Sequence, residues 1–125
     1  MNETYSRAEK LKHKRDIDLL FAKGKWHSCG NLRIITLNID KWPQENFDLV
    51  NQKVGVSVSK RNFKKAVDRN RIKRLLRECY RMNKETFVAT FGVHSFSMLF
   101  WISKTLPINF AEVQEEFINL CQSKK

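Results

Sequence analysis

The chain has no stretch approaching the roughly 18 consecutive apolar residues that a membrane-spanning helix needs. Its opening residues, Met1-Asn2-Glu3-Thr4-Tyr5-Ser6, carry no apolar h-region, so no secretory signal is expected there. Cysteine is scarce. Cys29, Cys79 and Cys121 are odd in number, far apart, and form no Cys-x-x-Cys pair. With His13, His27 and His94 they give no zinc-ligand spacing, so no metal site is expected and reduced thiols in a cytoplasmic protein are the simplest reading. There is no internal repeat and no low-complexity segment. Acid is also in short supply: 13 Asp and Glu face 24 Lys and Arg, which leaves a net charge of +11. The acids are too dispersed to suggest a pair for metal-dependent phosphodiester cleavage, which argues against a protein-only nuclease. Ser28 beside His27, and Cys79 among arginines, lack a positioned base, so no catalytic side chain is expected.

What is present is a folded, strongly basic chain. Its 125 residues predict one domain, 1–125, with residues 1–13 polar, basic and irregular. That length supports a single modest core, and a hydrophobic content of 42% argues against a disordered basic tail. A pI near 9.9 in such a domain points to nucleic acid, and less often to an anionic membrane surface.

The elements follow from periodicity. Lys14 to Lys23 predicts a short helix, with Ile17, Leu20 and Phe21 at helical spacing and Gly24 where a C-terminal cap belongs. Leu32 to Asn38 predicts a strand rich in β-branched residues. Ile39 to Asn51, with Pro43, predicts a long connection. In Lys53 to Val58, Val54, Val56 and Val58 alternate with Gly55 and Ser57, the mark of a strand with one buried face. Ser95 to Ile102 is a strongly apolar run and predicts a central strand covered on both faces. Asn109 with Glu112 three residues on is a helix-start signature, followed by Phe110, Val113, Phe117 and Leu120 at helical spacing. Lys84 to His94 fits an extension of the preceding helix or a loop. The order predicts a small α/β sandwich, helices packed on one mixed or antiparallel sheet.

The densest feature is the run from Lys60 to Glu78. Taken as a helix from Asp68 onward, it puts Ile72, Leu75, Leu76 and Cys79 on one stripe. Arg69, Lys73, Arg77 and Arg81 follow one another on a second, flanked by Asn70 and Arg74, with Glu78 off the stripe. One side is suited to a core and the other to phosphate oxygens, which planar guanidinium forks match. Asn70 is mildly unfavourable inside a helix without a partner, and the pattern leaves open whether it is an idle first-turn residue or a contact. Phe21, Trp26 and Phe63, near basic residues, are candidates for stacking on bases, although Phe21 also fits the core. Phe87, Phe91, Phe96, Phe100 and Trp101 are expected in the core.

These residues carry a resemblance. Ala66-Val67-Asp68-Arg69-Asn70-Arg71-Ile72-Lys73-Arg74-Leu75-Leu76-Arg77-Glu78 resembles the Arg-Asn-Arg signature of the bacterial ribonuclease P protein family. Lys53-Val54-Gly55-Val56-Ser57-Val58-Ser59-Lys60 looks like that family's strand before the motif, and Arg15 to Lys25 like its first helix and turn. The resemblance implies an α+β sandwich of order α-β-β-β-α-β-α, like a ribosomal protein domain, with a left-handed βαβ crossover against the usual right-handed rule. It implies a protein that binds a catalytic RNA and helps it remove the 5′ leader from precursor tRNA. The RNA would carry the chemistry with bound Mg2+, one RNA with one protein, in the cytoplasm and away from membranes. Arg69, Asn70, Arg71, Lys73, Arg74 and Arg77, with Lys60, Arg61, Lys64 and Lys65, would contact the catalytic RNA. Ile17, Phe21, Ile35 and Ser57 would line the leader cleft.

Two departures from the family pattern matter. Aliphatic Ile17 and Ile35 stand where the cleft usually carries aromatics, and they lack the flat π-face that makes stacking sequence-tolerant. Asn62-Phe63-Lys64-Lys65 replaces a Gly-Asn turn and adds charge, with Phe63 either packing or stacking. The alternative function is a structural RNA-binding protein of the ribosomal type with no processing role; composition alone does not separate the two, whereas the Arg-Asn-Arg order does.

Overall fold

The computed structural model describes residues 11, 14–38, 53–92, 95–107 and 109–124. The expectations for the first thirteen residues, apart from Leu11, and for the connection after Asn38 lie outside the described residues. The elements are α1 (Lys14–Lys23), β1 (Lys25–Cys29), β2 (Leu32–Asn38), β3 (Lys53–Val58), α2 (Ala66–Met82), α3 (Lys84–Phe91), β4 (Ser95–Trp101) and α4 (Phe110–Lys124). They form a mixed α/β sandwich on a four-stranded sheet of order β1-β2-β4-β3. β1–β2 and β2–β4 are antiparallel and β3–β4 parallel. A parallel pair needs a long crossover, and here it consists of α2 and α3. The order is the implied one with a helix added. The ambiguous stretch after Lys84 is helical through Phe91, where Gly92 at φ 97° ends it and donates its N–H to Val88 O at 2.9 Å. Strand β1 carries no apolar alternation to announce it. Lys-Trp-His-Ser-Cys is an edge strand, held by pairing with β2 through a turn at Gly30, φ 60°.

Each face of the sheet has its own core. On one, Leu32 and Ile34, Val54 and Val58, and Leu99 and Trp101 meet Ile72, Leu76, Cys79 and Tyr80 of α2. Phe87 and Phe91 of α3 and Val113, Phe117, Leu120 and Cys121 of α4 complete this cover. Phe87 is the hub, with ring centroids 5.4 Å from Tyr80, 4.8 Å from Phe91 and 5.9 Å from Phe117. Burial of each such side chain contributes about 1.5–3 kcal/mol. On the other face a smaller cluster joins Leu20 of α1 to Leu11, Ile35, Leu37 and Phe96.

Four devices fix these helices. Gly24 lets α1 close onto β2, since a Cβ there would sit 2.5 Å from Leu20 O and 2.7 Å from Ile35 Cγ1. Buried Asp16 in the first turn of α1 lies 3.7 Å from Lys53 Nζ at the start of β3, so an ion pair fastens the helix to the sheet. At α4, Asn109 Oδ1 accepts the Glu112 N–H at 3.0 Å, the predicted cap. Further along, the Glu116 carboxylate accepts both the Asn31 backbone N–H (2.6 Å) and its side-chain amide (3.0 Å), tying the β1–β2 turn to α4.

Candidate nucleic-acid interface

The basic surface starts where β3 ends. Ser59 opens a turn, its carbonyl accepting the Phe63 N–H at 3.1 Å and its hydroxyl the Arg61 N–H at 3.0 Å. Phe63 then plunges into the core at 6% exposure, so it packs and offers no ring for stacking. Lys60, Arg61, Lys64 and Lys65 are left on the exposed outside of the loop. The helix begins at Ala66, two residues before the expected start, with Lys65 O accepting the Asp68 and Arg69 N–H groups at 3.2 Å. Asp68 lies in its positive first turn, where a carboxylate is favoured.

The buried residues Ile72, Leu76, Cys79 and Tyr80 set the inward direction of α2. Opposite them, Asn70, Arg71, Arg74 and Arg77 are exposed. The outward stripe is therefore displaced by about one residue from the expected line through Arg69, Lys73, Arg77 and Arg81. Lys73 is half-buried at its flank. Arg81 is engaged by the acid assigned to no stripe: its Nη2 and Nε donate to the Glu78 carboxylate at 2.9 and 3.2 Å. That hydrogen bond, more than the charge itself, holds the Glu78 carboxyl below its usual range. Arg69 is half-buried and turns back on the loop, its Nη1 donating to Phe63 O at 2.8 Å and Lys64 O at 2.9 Å.

A second surface lies on the sheet face that α1 only partly covers. Of the residues expected there, Ile17 and Ser57 are half-buried and Phe21 is 44% exposed, whereas Ile35 is fully buried and has no surface to offer. Its place is taken by rings the motif reading did not assign to the cleft. Trp26 stands on β1 at 45% exposure, and half-buried Phe100 on β4 departs from the expected core position. Phe21, Trp26 and Phe100 form a triangle, with centroids 6.0 Å (Phe21–Trp26), 6.2 Å (Phe21–Phe100) and 5.5 Å (Trp26–Phe100) apart. Arg33 of β2 lays its guanidinium carbon 4.1 Å from the centre of the Trp26 ring, a cation–π contact. The signal in the sequence was Trp26 itself, a large aromatic among polar neighbours. Ser57 pairs with Phe100 in the parallel register, and two residues later the chain enters the basic loop. The two surfaces are thus joined by the end of β3.

Among the described residues no three or more His, Cys, Asp or Glu converge as a metal centre would need. Burial pushes the Cys79 thiol up to about 12, with Glu78 adding to the effect, which keeps it protonated and a poor nucleophile. No helix of the described residues is long and apolar enough to cross a membrane.

A basic loop and helix, joined to a ring-lined sheet face, define a nucleic-acid-binding α/β sandwich. Comparison with known proteins narrows this. The family model described as Ribonuclease P matches residues 5–125. The ribonuclease P protein component of Thermotoga maritima is 31% identical over 120 residues, 96% of this chain and 95% of that protein. The Porphyromonas gingivalis protein of the same name is 37% identical over 79 residues, 63% of this chain and 54% of its own. Among solved structures, the RNase P protein of Staphylococcus aureus superposes with a TM-score of 0.71 at 21% identity, covering 95% of this chain and 97% of that one. The Thermotoga maritima protein gives 0.71 at 22%, covering 94% and 98%. The chain belongs to the ribonuclease P protein family, the RNA-binding protein subunit of a tRNA-processing ribonucleoprotein.

Proposed function

We propose that this chain binds the ribonuclease P RNA through the 59–65 loop and the outward face of α2, and holds the precursor-tRNA 5′ leader on the Phe21, Trp26 and Phe100 rings. One RNA and one protein would assemble in the cytoplasm. The RNA, with its Mg2+, carries the endonucleolytic step, and the protein is its accessory. The observation that carries this reading is the continuity of the two surfaces at the end of β3. Exposed Lys60, Arg61, Lys64, Lys65, Arg74 and Arg77 supply the phosphate contacts. Each contact adds about 0.7–0.9 to the log–log salt dependence of binding. The three rings, inclined by 40–68° to one another, supply separate π-faces on which unpaired bases stack whatever their sequence. Arg33, over the Trp26 ring, adds charge for a backbone phosphate.

The experiment is leader removal from a precursor tRNA at low magnesium. The RNA-free protein is expected to cleave nothing, and its addition to the ribonuclease P RNA of the same organism to restore processing. Nuclease activity in rigorously RNA-free protein would overturn the assignment of the chemistry. Ultraviolet crosslinking of the leader is expected at Phe21, Trp26 or Phe100; crosslinks confined to α4 would remove the ring face from the site.

A further inference from the structure

Arg69 is the first arginine of the motif, yet its geometry differs from that of its neighbours. Counted along α2 at 3.6 residues per turn, it lies beside the buried stripe of Ile72 and Leu76, not opposite it. Its guanidinium is directed toward the protein. Both hydrogens of Nη1 are given to main-chain oxygens, those of Phe63 and Lys64, in the loop that precedes the helix. The loop needs such a partner. Lys65 caps the helix without a side-chain hydrogen bond. The Phe63 ring anchors the inner side of the loop in the core, but the ring does nothing for the carbonyls that follow it. A charged donor to two carbonyls is among the stronger hydrogen-bond arrangements in proteins.

We infer that Arg69 is a positioning residue. It clamps the Phe63 and Lys64 carbonyls and so sets the direction in which Lys64 and Lys65, with the start of α2, face the RNA. This rests on the reading of the loop and α2 as the RNA-binding surface. The charge of Arg69 is then secondary to its fork. A lysine keeps the charge but ends one bond short and presents a compact, strongly hydrated ammonium. Substitution by lysine therefore separates the two roles, because a direct phosphate contact survives it and a clamp does not.

The test is the salt dependence of binding to the ribonuclease P RNA of the same organism, for the full chain and Arg69→Lys. The clamp predicts that Arg69→Lys binds roughly tenfold more weakly, with a log–log slope shallower by about 1.5, as if two phosphate contacts were lost at unchanged formal charge. It also predicts faster amide exchange at Phe63, with the exchange of β4 amides unchanged. In a Lys64→Ala/Lys65→Ala background, Arg69→Lys is expected to change affinity less than about twofold, because the side chains it positions are gone. An unchanged slope in Arg69→Lys, together with a slope shallower by about 0.8 in Arg69→Ala, would show a direct phosphate contact and overturn the clamp. Global unfolding of Arg69→Lys would overturn it as well, since the clamp acts on one loop. Failure of the unsubstituted chain to bind the RNA would instead sink the underlying functional reading.

Discussion

The two exposed surfaces are built from opposite materials. Around α2 the rings are inside and the charges outside: Phe63 and Tyr80 are buried, while Lys60, Arg61, Lys64, Lys65, Arg74 and Arg77 project. Beside α1 the rings are outside, and the Arg33 guanidinium sits over one of them. The cause is coverage. One face of the sheet is covered by α2, α3 and α4, so its aromatics are used in packing. Among the described residues the other has α1 and Leu11, and the sheet beyond the helix edge keeps Trp26 and Phe100 near solvent. A charged surface recognises the phosphates common to all RNA and weakens with salt. Stacking on rings needs unpaired bases, and the stacking itself neutralises no phosphate. The proposed division of labour, a large folded RNA on one surface and a single-stranded leader on the other, rests on this difference.

This contrast can be broken in several ways. Lys53→Met leaves buried Asp16 without its β3 partner and should loosen the attachment of α1. Breaking a buried pair costs about 3 kcal/mol or more, so urea unfolding should show the largest loss of stability here. Replacing Lys60, Arg61, Lys64 and Lys65 together by alanine should weaken binding to the ribonuclease P RNA on the order of a hundredfold at physiological salt, with a slope shallower by about 3. The ratio of precursor to mature tRNA affinity in the assembled particle should not move. Trp26→Ala should do the reverse. Loss of a stacking partner is worth about 1–3 kcal/mol, read as a lower precursor-to-mature ratio with the salt slope intact. If both variants shift both quantities equally, the division of labour is wrong.

The smallest effect concerns the covered face. Cys79 has its thiol pushed up to about 12 by burial. In the unfolded chain it ionises near 8.5, so its contribution to stability is complete below that pH. It is lost progressively as pH rises toward 12, by about 1.4 kcal/mol per pH unit. Urea titrations between pH 8 and 10 should show this slope in the unsubstituted chain and a shallower one in Cys79→Ala.

Much of this architecture is legible along the chain. The bounds of α1, β2 and β3 follow from spacing, and the Asn109 cap forms as its signature predicts. The candidate site is legible only in part. The motif marks the loop and α2, but the outward line runs through Asn70, Arg74 and Arg77, and Arg81 is engaged by Glu78 three residues before it. Ile35 reads as a cleft residue by position, yet α1 and Gly24 close over it. Trp26 reads as a stacking candidate, but nothing within β1 shows that Phe21 and Phe100 will meet it.

The sequence by itself determined an amphipathic basic helix, a polyanion partner and a family, because these depend on the order of residues within continuous segments of the chain. The tertiary structure alone decided which charges face outward, which arginine turns back on its own loop and where three rings converge. Those outcomes depend on the pairing of β1 with β2 and of β2 with β4, which brings Trp26 beside Phe100 across more than half the chain. Register between distant strands is set by the packing of both sheet faces at once, and no local pattern carries that information.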